Sequence, residues 1–136
     1  MPRPTSKELE QDRLVRFDRI KKAIAALEKQ QKQILKQGEL APSAAWVARY
    51  QVRQNTKKYW YYKLQVPLPY FQCATSEKLS KYKHLGKAAT QAHVDAVMSV
   101  FRRTVIQEIQ KIIHALDDCL LDISSGSEQE EEDLQD

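Results

Sequence analysis

The sequence predicts an α+β fold in which two long helices flank an inserted three-stranded antiparallel sheet, followed by a disordered acidic C-terminal tail. Three observations lead to this prediction. Apolar residues recur with helical spacing in two long segments, one before and one after the middle of the 136-residue chain. The central segment is rich in aromatic and β-branched residues, which favour strands. The final residues are too acidic and too poor in apolar groups to fold alone.

One domain with a modest core is the expectation for a chain of 136 residues. We expect this helix–sheet–helix domain to cover residues 1–123, with helices at about 6–37 and 88–123 and a sheet at about 44–86. The disordered tail would then be residues 124–136. The whole chain contains only three glycines, which fits long helices better than long flexible loops.

The first helix is predicted by a heptad stripe of apolar residues with steps of three and four, in which Gln31 fills one gap. The stripe consists of Phe17, Ile20, Ile24, Leu27 and Ile34. Thr5 and Ser6 can cap the start of the helix, whereas Gly38 and Pro42 end it. Charged residues lie mostly off the stripe. The apolar seam therefore needs a partner, either the other long helix or a second copy of the chain.

Three strands are predicted in the centre, at residues 46–53, 59–66 and 79–85. The first two are separated by the polar residues Gln54–Lys58, where Asn55 suits a positive φ angle, so we expect an antiparallel hairpin. The loop after the second strand is long and contains Tyr70 and Phe71. Those two aromatic residues predict either a covering flap or a contact surface for a protein partner.

The second helix is the strongest periodic signal in the chain, beginning near residues 88–90 and running to about Ile123. Its apolar band consists of Val94, Val97, Met98, Phe101, Val105, Ile109, Ile112, Ile113, Leu116, Leu120 and Ile123. Residues 124–127 (Ser-Ser-Gly-Ser) then break the pattern. The acidic residues 128–136 follow.

The formal net charge of +4 hides a strong segregation along the sequence. Residues 44–87 contain nine lysines and arginines and one acid, whereas residues 117–136 contain nine acids and no lysine or arginine. The tail can therefore fold over the basic sheet and compete with a polyanion, or it can simply keep a cationic protein soluble. Solubility is the more common role of such a tail.

No stretch of the chain approaches the roughly 20 apolar residues that are needed to cross a bilayer. The N-terminal residues 1–6 are not followed by a hydrophobic signal core. We therefore expect a cytoplasmic protein with no membrane partner. Cys73 and Cys119 lie far apart in the sequence, so we expect no disulfide framework.

Alternation along the predicted strands gives the sheet two faces of different chemistry, one of which we expect to be basic and to carry tyrosines. Cations of this kind displace the counterions of a phosphate backbone, and tyrosines donate hydrogen bonds or stack on exposed bases. The candidate nucleic-acid contacts are Arg49, Arg53, Lys58, Tyr61, Lys63, Lys81 and Lys83.

A structural interpretation of the same residues is that a half-exposed sheet shows lysines and arginines to water and packs its aromatic residues as core. The nine-to-one ratio of basic to acidic residues favours binding, because ordinary solvated faces mix both signs.

Catalytic and metal-binding patterns are missing from the sequence. His84, His93 and His114 form no ligand motif with either cysteine, so we expect no metal and no cofactor. His84 lies among strand lysines, where it can touch phosphate. Three scattered glycines cannot form a phosphate-cradling loop, and no nucleophile elbow or apolar carboxylate pair is present. The sequence therefore predicts a protein without catalytic activity.

The order of motifs resembles a family of short bacterial proteins of unknown function that are often found with mobile elements. The resemblance covers about residues 25–120 and depends on Pro42–Tyr50, Tyr59–Leu64 and Lys81–Gly86 between two helices. Many members carry a cysteine cluster between the first two strands, which this chain lacks, so no metal is implied. Three strands followed by a helix also look like the small β-sheet DNA-binding domains of integrases, and this likeness implies DNA binding by analogy.

These observations predict a non-enzymatic nucleic-acid-binding protein that acts through a basic, aromatic sheet face and is associated with mobile elements. DNA is favoured over RNA, and self-association through the long helices is expected. The alternative is a coiled-coil dimeric interaction or assembly factor whose protein partner contacts Tyr70 and Phe71.

Overall fold

A computed structural model describes residues 2–135 of the chain, with side chains through residue 125. Its seven elements are helix α1 (Ser6–Gln37), strands β1 (Trp46–Gln54), β2 (Lys57–Gln65), β3 (Phe71–Cys73), β4 (Ser76–Ser80) and β5 (Tyr82–Gly86), and helix α2 (Gln91–Gln135). The fold is α+β, as the sequence predicts. The predicted disorder of residues 124–136 falls almost entirely outside the described side chains and stays a prediction.

Helix α1 begins with a capping box. The Oγ1 atom of Thr5 accepts a hydrogen bond from the backbone N–H of Glu8 at 3.2 Å, and the backbone N–H of Thr5 donates to Glu8 Oε2 at 3.0 Å. Two backbone N–H groups at the start of the helix thereby have hydrogen-bond acceptors. The observed bounds of α1 equal the predicted ones, because the cap and the terminating Gly38 are both local signals.

The main sheet has three antiparallel strands in the order β1-β2-β5. β1 and β2 form a hairpin around the two-residue turn of Asn55 and Thr56, in which Asn55 has a φ angle of 58°. Positive φ angles are tolerated best by glycine and asparagine, which is why Asn55 predicts the turn at this position. The predicted antiparallel hairpin is confirmed.

The predicted third strand at residues 79–85 is wrong, because this segment belongs to two different sheets. β4 pairs with β3 in a separate two-stranded sheet, and β5 pairs with β2 in the main sheet. The chain bends at Lys81, whose carbonyl accepts a hydrogen bond from Val66 N–H at 2.9 Å. The N–H of Tyr82 donates to Ser80 Oγ at 3.1 Å, which stabilises the same bend. Continuous strand propensity did not show this interruption.

The chain divides into two compact units, one made of Met1–Gln33 and Gln107–Asp136 and the other of Ile34–Ile106. In the first unit, Ile24 of α1 and Ile109 of α2 are buried. Association of the long helices with a second copy of the chain stays a prediction.

The second unit has its core on one side of the main sheet. The buried residues of this core are Ala41, Ala45, Leu64, Val66, Leu85 and Ala96. Val47, Tyr62, Phe71 and Val100 pack against them and are partly buried. The core thus joins β1, β2 and β5 to the first turns of α2 and to the connection between α1 and β1.

Two arginines of α2 hold that connection. Nη1 of Arg103 donates to the carbonyl oxygens of Pro42 and Ala45, both at 2.7 Å, and Nε of Arg102 donates to the carbonyl of Glu39 at 2.9 Å. These bonds satisfy backbone acceptors that belong to neither helix nor strand. They fix the point at which the chain enters β1.

Helix α2 begins one residue after Thr90, whose Oγ1 accepts a hydrogen bond from the N–H of His93 at 3.2 Å. The same hydroxyl donates to the carbonyl of Leu85 at 2.9 Å. Thr90 therefore caps the helix and attaches it to the end of β5. Among the helices of the described residues, none is long and apolar enough to cross a membrane.

Candidate nucleic-acid interface

The register of β1 and β2 divides the side chains of the main sheet between two faces. Arg49 lies opposite Tyr62, Tyr50 opposite Tyr61, and Arg53 opposite Lys58. Directly opposed residues lie on the same face of a sheet. The helix-side face carries the core and contains Val47, Arg49, Gln51, Arg53, Lys58, Trp60, Tyr62, Leu64, Lys83 and Leu85. The open face contains Trp46, Ala48, Tyr50, Val52, Lys57, Tyr59, Tyr61, Lys63, Gln65, Tyr82 and His84.

The predicted contact residues therefore do not form one basic face. Arg49, Arg53, Lys58 and Lys83 belong to the helix-side face, and Tyr61 and Lys63 belong to the open face. Lys81 lies in the bend between β4 and β5, on neither strand. Alternation along a single strand at residues 79–85 predicts that Lys81 and Lys83 lie on one side of it, and the bend makes that prediction wrong.

Aromatic rings cross all three strands of the open face. Tyr50 of β1 and Tyr61 of β2 stack with ring centres 6.0 Å apart and planes at 28°. The hydroxyl group of Tyr50 lies 3.1 Å from Nδ1 of His84 on β5, and the two rings meet edge to face. Tyr82, also on β5, is 39% exposed. Tyr50 and Tyr61 are half-buried. The open face therefore carries partly exposed aromatic rings on all three strands.

Lys63 lies at the centre of this aromatic surface. Its ammonium nitrogen is 4.3 Å from the ring centre of Tyr82 and 5.3 Å from that of Tyr50. A second lysine, Lys87, lies 4.9 Å from the ring centre of Tyr59. Cation–π contacts position these ammonium groups without neutralising them, since an aromatic ring has no net charge. Their charge remains available to an anion.

Within the described residues, the ring and hydrogen-bond contacts of the open-face side chains are with one another and with Lys87. None of the open-face residues belongs to the buried core or to the side chains packed on it. Tyr62 of the opposite face shows the contrast, because its ring stacks on His93 of α2 at 3.9 Å. The open face thus has no helix over it in the second unit.

The helix-side face has an apolar and a basic end. Leu64 and Val47 belong to the core, whereas Arg49 and Trp60 lie further along the hairpin. The guanidinium carbon of Arg49 lies 4.0 Å from the ring centre of Trp60, which is 46% exposed. Arg49 is thus held on a ring face as the two lysines are.

The β1–β2 hairpin ends in a basic cluster, which we call the hairpin tip and which consists of Arg53, Lys57 and Lys58 around the Asn55–Thr56 turn. All three side chains are exposed. Arg53 and Lys58 are direct cross-strand neighbours, and Lys57 lies next to Lys58 on the other face. Three cations within one turn of a hairpin create a strong local positive potential.

No sheet cation has a carboxylate partner among the described residues. Ion pairs among the described residues lie on the helices and join Asp18 with Lys22, Glu108 with Lys111, and His114 with Asp118. Glu77 is the single acid among residues 44–87. It belongs to β4, outside the main sheet. The positive charge of the main sheet is therefore uncompensated there.

Sequence reasoning missed several residues of the open face and the hairpin tip, among them Tyr50, Lys57 and Tyr82, and it missed Lys87 beside the open face. The signal for Tyr50 and Lys57 was available in the turn. A two-residue loop at Asn55 and Thr56 places Tyr50 opposite Tyr61 and Lys57 at the first paired position, whereas the predicted polar break of five residues left the register undefined. The position of Tyr82 on the open face could not be predicted without the bend at Lys81.

The predicted contact pair Tyr70 and Phe71 differs in exposure. Tyr70 is 58% exposed, whereas Phe71 begins β3 and packs against the core. Their rings meet edge to face at 5.2 Å. Cys73 and Cys119 are free thiols, and the described residues contain no group of three or more His, Cys, Asp or Glu side chains that can hold a metal ion.

No family model, curated protein or solved structure matches this chain. The resemblance to mobile-element proteins therefore stays a prediction.

Proposed function

We propose that this chain is a non-enzymatic nucleic-acid-binding protein whose main sheet carries the binding surface. The observation that supports this most is the uncompensated charge of the sheet, in which the lysines and arginines contact rings or solvent and no carboxylate in the described part of the chain. Surfaces built for solvation alone mix both signs. A polyanion provides the missing negative charge.

The hairpin tip provides the phosphate contacts in this proposal, through Arg53, Lys57 and Lys58. Arg49 and Lys63 extend the basic surface toward the base of the hairpin on the two faces. Lys83 lies on β5 and Lys81 directly before that strand, and both add a peripheral contribution. Phosphate contacts of this kind position a protein on its ligand and contribute affinity that does not depend on the base sequence.

DNA is the favoured ligand, and association with mobile elements is part of the proposal. Association with mobile elements follows from the resemblance to short bacterial proteins found with such elements. DNA follows from the likeness to the small β-sheet domains of integrases, and both are arguments by analogy. The cytoplasmic location expected from the sequence belongs to the same proposal.

Fluorescence polarisation with a labelled 20-nucleotide oligonucleotide tests the proposal. The double substitution Arg53→Ala and Lys58→Ala should weaken binding about tenfold at low salt, because two phosphate contacts are lost. The matched control is Lys29→Ala with Lys32→Ala, which removes the same charge from exposed positions of α1. Absence of binding by the wild-type chain, or an equal loss in both double variants, would refute the assignment.

A second function is favoured by an exposed apolar stripe on α2. Val94, Val97, Met98 and Phe101 recur at steps of three and four and are 47%, 42%, 40% and 53% exposed. Spacing of this kind places them on one side of the helix, and apolar stripes of such extent are common contact surfaces. The corresponding candidate is a helical self-association or assembly factor.

Light scattering after gel filtration measures the mass of the particle in solution and so tests this second candidate function. A wild-type dimer should become monomeric on Val97→Glu, while Gln110→Glu, which adds the same charge elsewhere on α2, should leave the mass unchanged. A monomeric wild-type chain would exclude self-association at the concentration used.

A further inference from the structure

We infer that the ligand of the open face is an unpaired polynucleotide strand, whose bases stack on the tyrosine rings while its phosphates meet the lysines between them. This inference rests on the proposed nucleic-acid function and specifies the form of the ligand. Its central residues are Tyr50, Tyr61, Lys63 and Tyr82.

The rings are arranged for contact with a planar ligand. Tyr50, Tyr61 and Tyr82 lie one on each strand of the main sheet, and all three belong to the face that carries no core. Adjacent strands are roughly 5 Å apart, so the three strands span about 10 Å, which is room for two or three bases. Trp46, which is 43% exposed, extends the same face along β1.

The cations alternate with the rings. The ammonium group of Lys63 lies between the rings of Tyr50 and Tyr82, at 5.3 and 4.3 Å from their centres. Lys87 lies 4.9 Å from the ring of Tyr59. A single strand likewise alternates planar bases with phosphates, so rings and ammonium groups on one face match both parts of it.

Duplex DNA does not fit this face equally well. Its bases are stacked on one another and present only their edges in the grooves, so tyrosine rings cannot stack on them without extrusion of a base. A duplex can still meet the cations of the hairpin tip through its phosphates. The open face therefore adds affinity for an unpaired strand and little for a duplex.

The core of the second unit does not include the rings of the open face, where Tyr50 and Tyr61 are half-buried. Core residues of the second unit lie on the opposite face, where Tyr62 finds a ring partner in His93. The rings of Tyr50 and Tyr61 contact each other, His84 and Lys63 instead. Three tyrosines and a tryptophan on a face without a covering helix form a surface that favours planar ligands.

Polarisation titrations of the full chain test this inference with three labelled ligands of one mixed sequence: a 20-nucleotide DNA strand, the same RNA strand, and the blunt DNA duplex. We expect at least tenfold tighter binding of a single strand than of the duplex. Tyr61→Leu and Tyr82→Leu should each weaken single-strand binding about tenfold, since stacking on one ring supplies roughly that much. Their effect on duplex binding should be less than twofold.

Two controls separate stacking from folding. Tyr70→Leu removes a tyrosine that is 58% exposed and outside the open face, and it should leave single-strand affinity unchanged. Tyr61→Phe and Tyr82→Phe keep the ring and should retain affinity within about twofold, whether or not the leucine variants fold. Loss of affinity in the phenylalanine variants would contradict stacking.

The possible outcomes distinguish the two proposals. Equal affinity for single strands and duplex, with the hairpin-tip substitutions weakening both, overturns this inference and leaves nucleic-acid binding in place. No binding to any of the three ligands overturns both. Tighter binding of either single strand supports the inference, and the ratio of the DNA and RNA affinities identifies the sugar that the face prefers.

Discussion

Arg53 and Lys58 lie directly opposite each other across the β1–β2 ladder, on the same face of the sheet. Like charges at directly opposed positions repel each other and destabilise a hairpin. Neither side chain has a carboxylate partner among the described ion pairs. An anion between the two side chains would turn this repulsion into attraction, which links the pair to the proposed phosphate contacts.

Replacing one member of the pair should therefore separate stability from binding. Lys58→Glu places opposite charges across the ladder and should stabilise the fold by roughly 0.2–1 kcal/mol, as measured by urea unfolding. The same variant should bind a labelled oligonucleotide at least tenfold more weakly. Lys29→Glu, with the same charge change on α1, serves as the control for net charge. A destabilised Lys58→Glu variant would contradict the account of the pair.

The contact between Arg49 and Trp60 should contribute to stability through its cation–π geometry at 4.0 Å. Arg49→Ala is expected to cost about 0.5–1 kcal/mol, because Trp60 is largely exposed and the interaction is partly screened. Arg49→Lys keeps the charge and should recover part of the loss. Equal unfolding midpoints for wild type and Arg49→Ala would show that the ring contact contributes nothing.

Arg103 should be more important to the second unit than its neighbour Arg102. Its Nη1 atom donates to two carbonyl oxygens at 2.7 Å, whereas Arg102 donates one backbone bond through Nε. Arg103→Met removes the charged donor from both acceptors and should cost about 2–3 kcal/mol, against about 1 kcal/mol for Arg102→Met. Thermal or urea unfolding of the two variants measures the difference. The reverse order of stability would be inconsistent with this role.

Substitution of Gly86 should destabilise the fold because of the backbone conformation at this position and not because of contacts with neighbouring side chains. Its φ angle is +82°, and a Cβ atom added there would lie 3.8 Å from the nearest side-chain atom of Thr90, an ordinary contact. Gly86→Ala is expected to cost about 1–2 kcal/mol, and Gly86→Asn less, since asparagine adopts positive φ angles more readily. Equal losses for the two variants would indicate a steric cause instead.

Local signals made the helices predictable. The capping box of Thr5 and Glu8 fixes the start of α1, and the apolar stripe that includes Ile24 places its buried side. The start of α2 is predictable to within a few residues, because Thr90 is a good cap that follows Gly86. The signal is contained in a few neighbouring residues in each case.

The arrangement of the sheet depended on contacts that are distant in sequence. The bend at Lys81 is held by Val66, fifteen residues earlier in the chain, so propensity alone joined β4 and β5 into one strand. Which face of β1 is covered is decided by Leu64 of β2 and Leu85 of β5. Arg49 and Arg53 therefore share the helix-side face, and the predicted single basic face that joins them with Tyr61 and Lys63 is wrong.

The salt dependence of single-strand binding tests the central claim most directly. Polarisation titrations of the wild-type chain at 50, 100 and 200 mM salt should give a straight line of log affinity against log salt, with a slope of about −2 to −4, as expected for three to five displaced counterions. The Arg53→Ala and Lys58→Ala double variant should reduce that slope by about one or more. A flat line for the wild-type chain, or no binding at 50 mM salt, would contradict nucleic-acid binding by the main sheet.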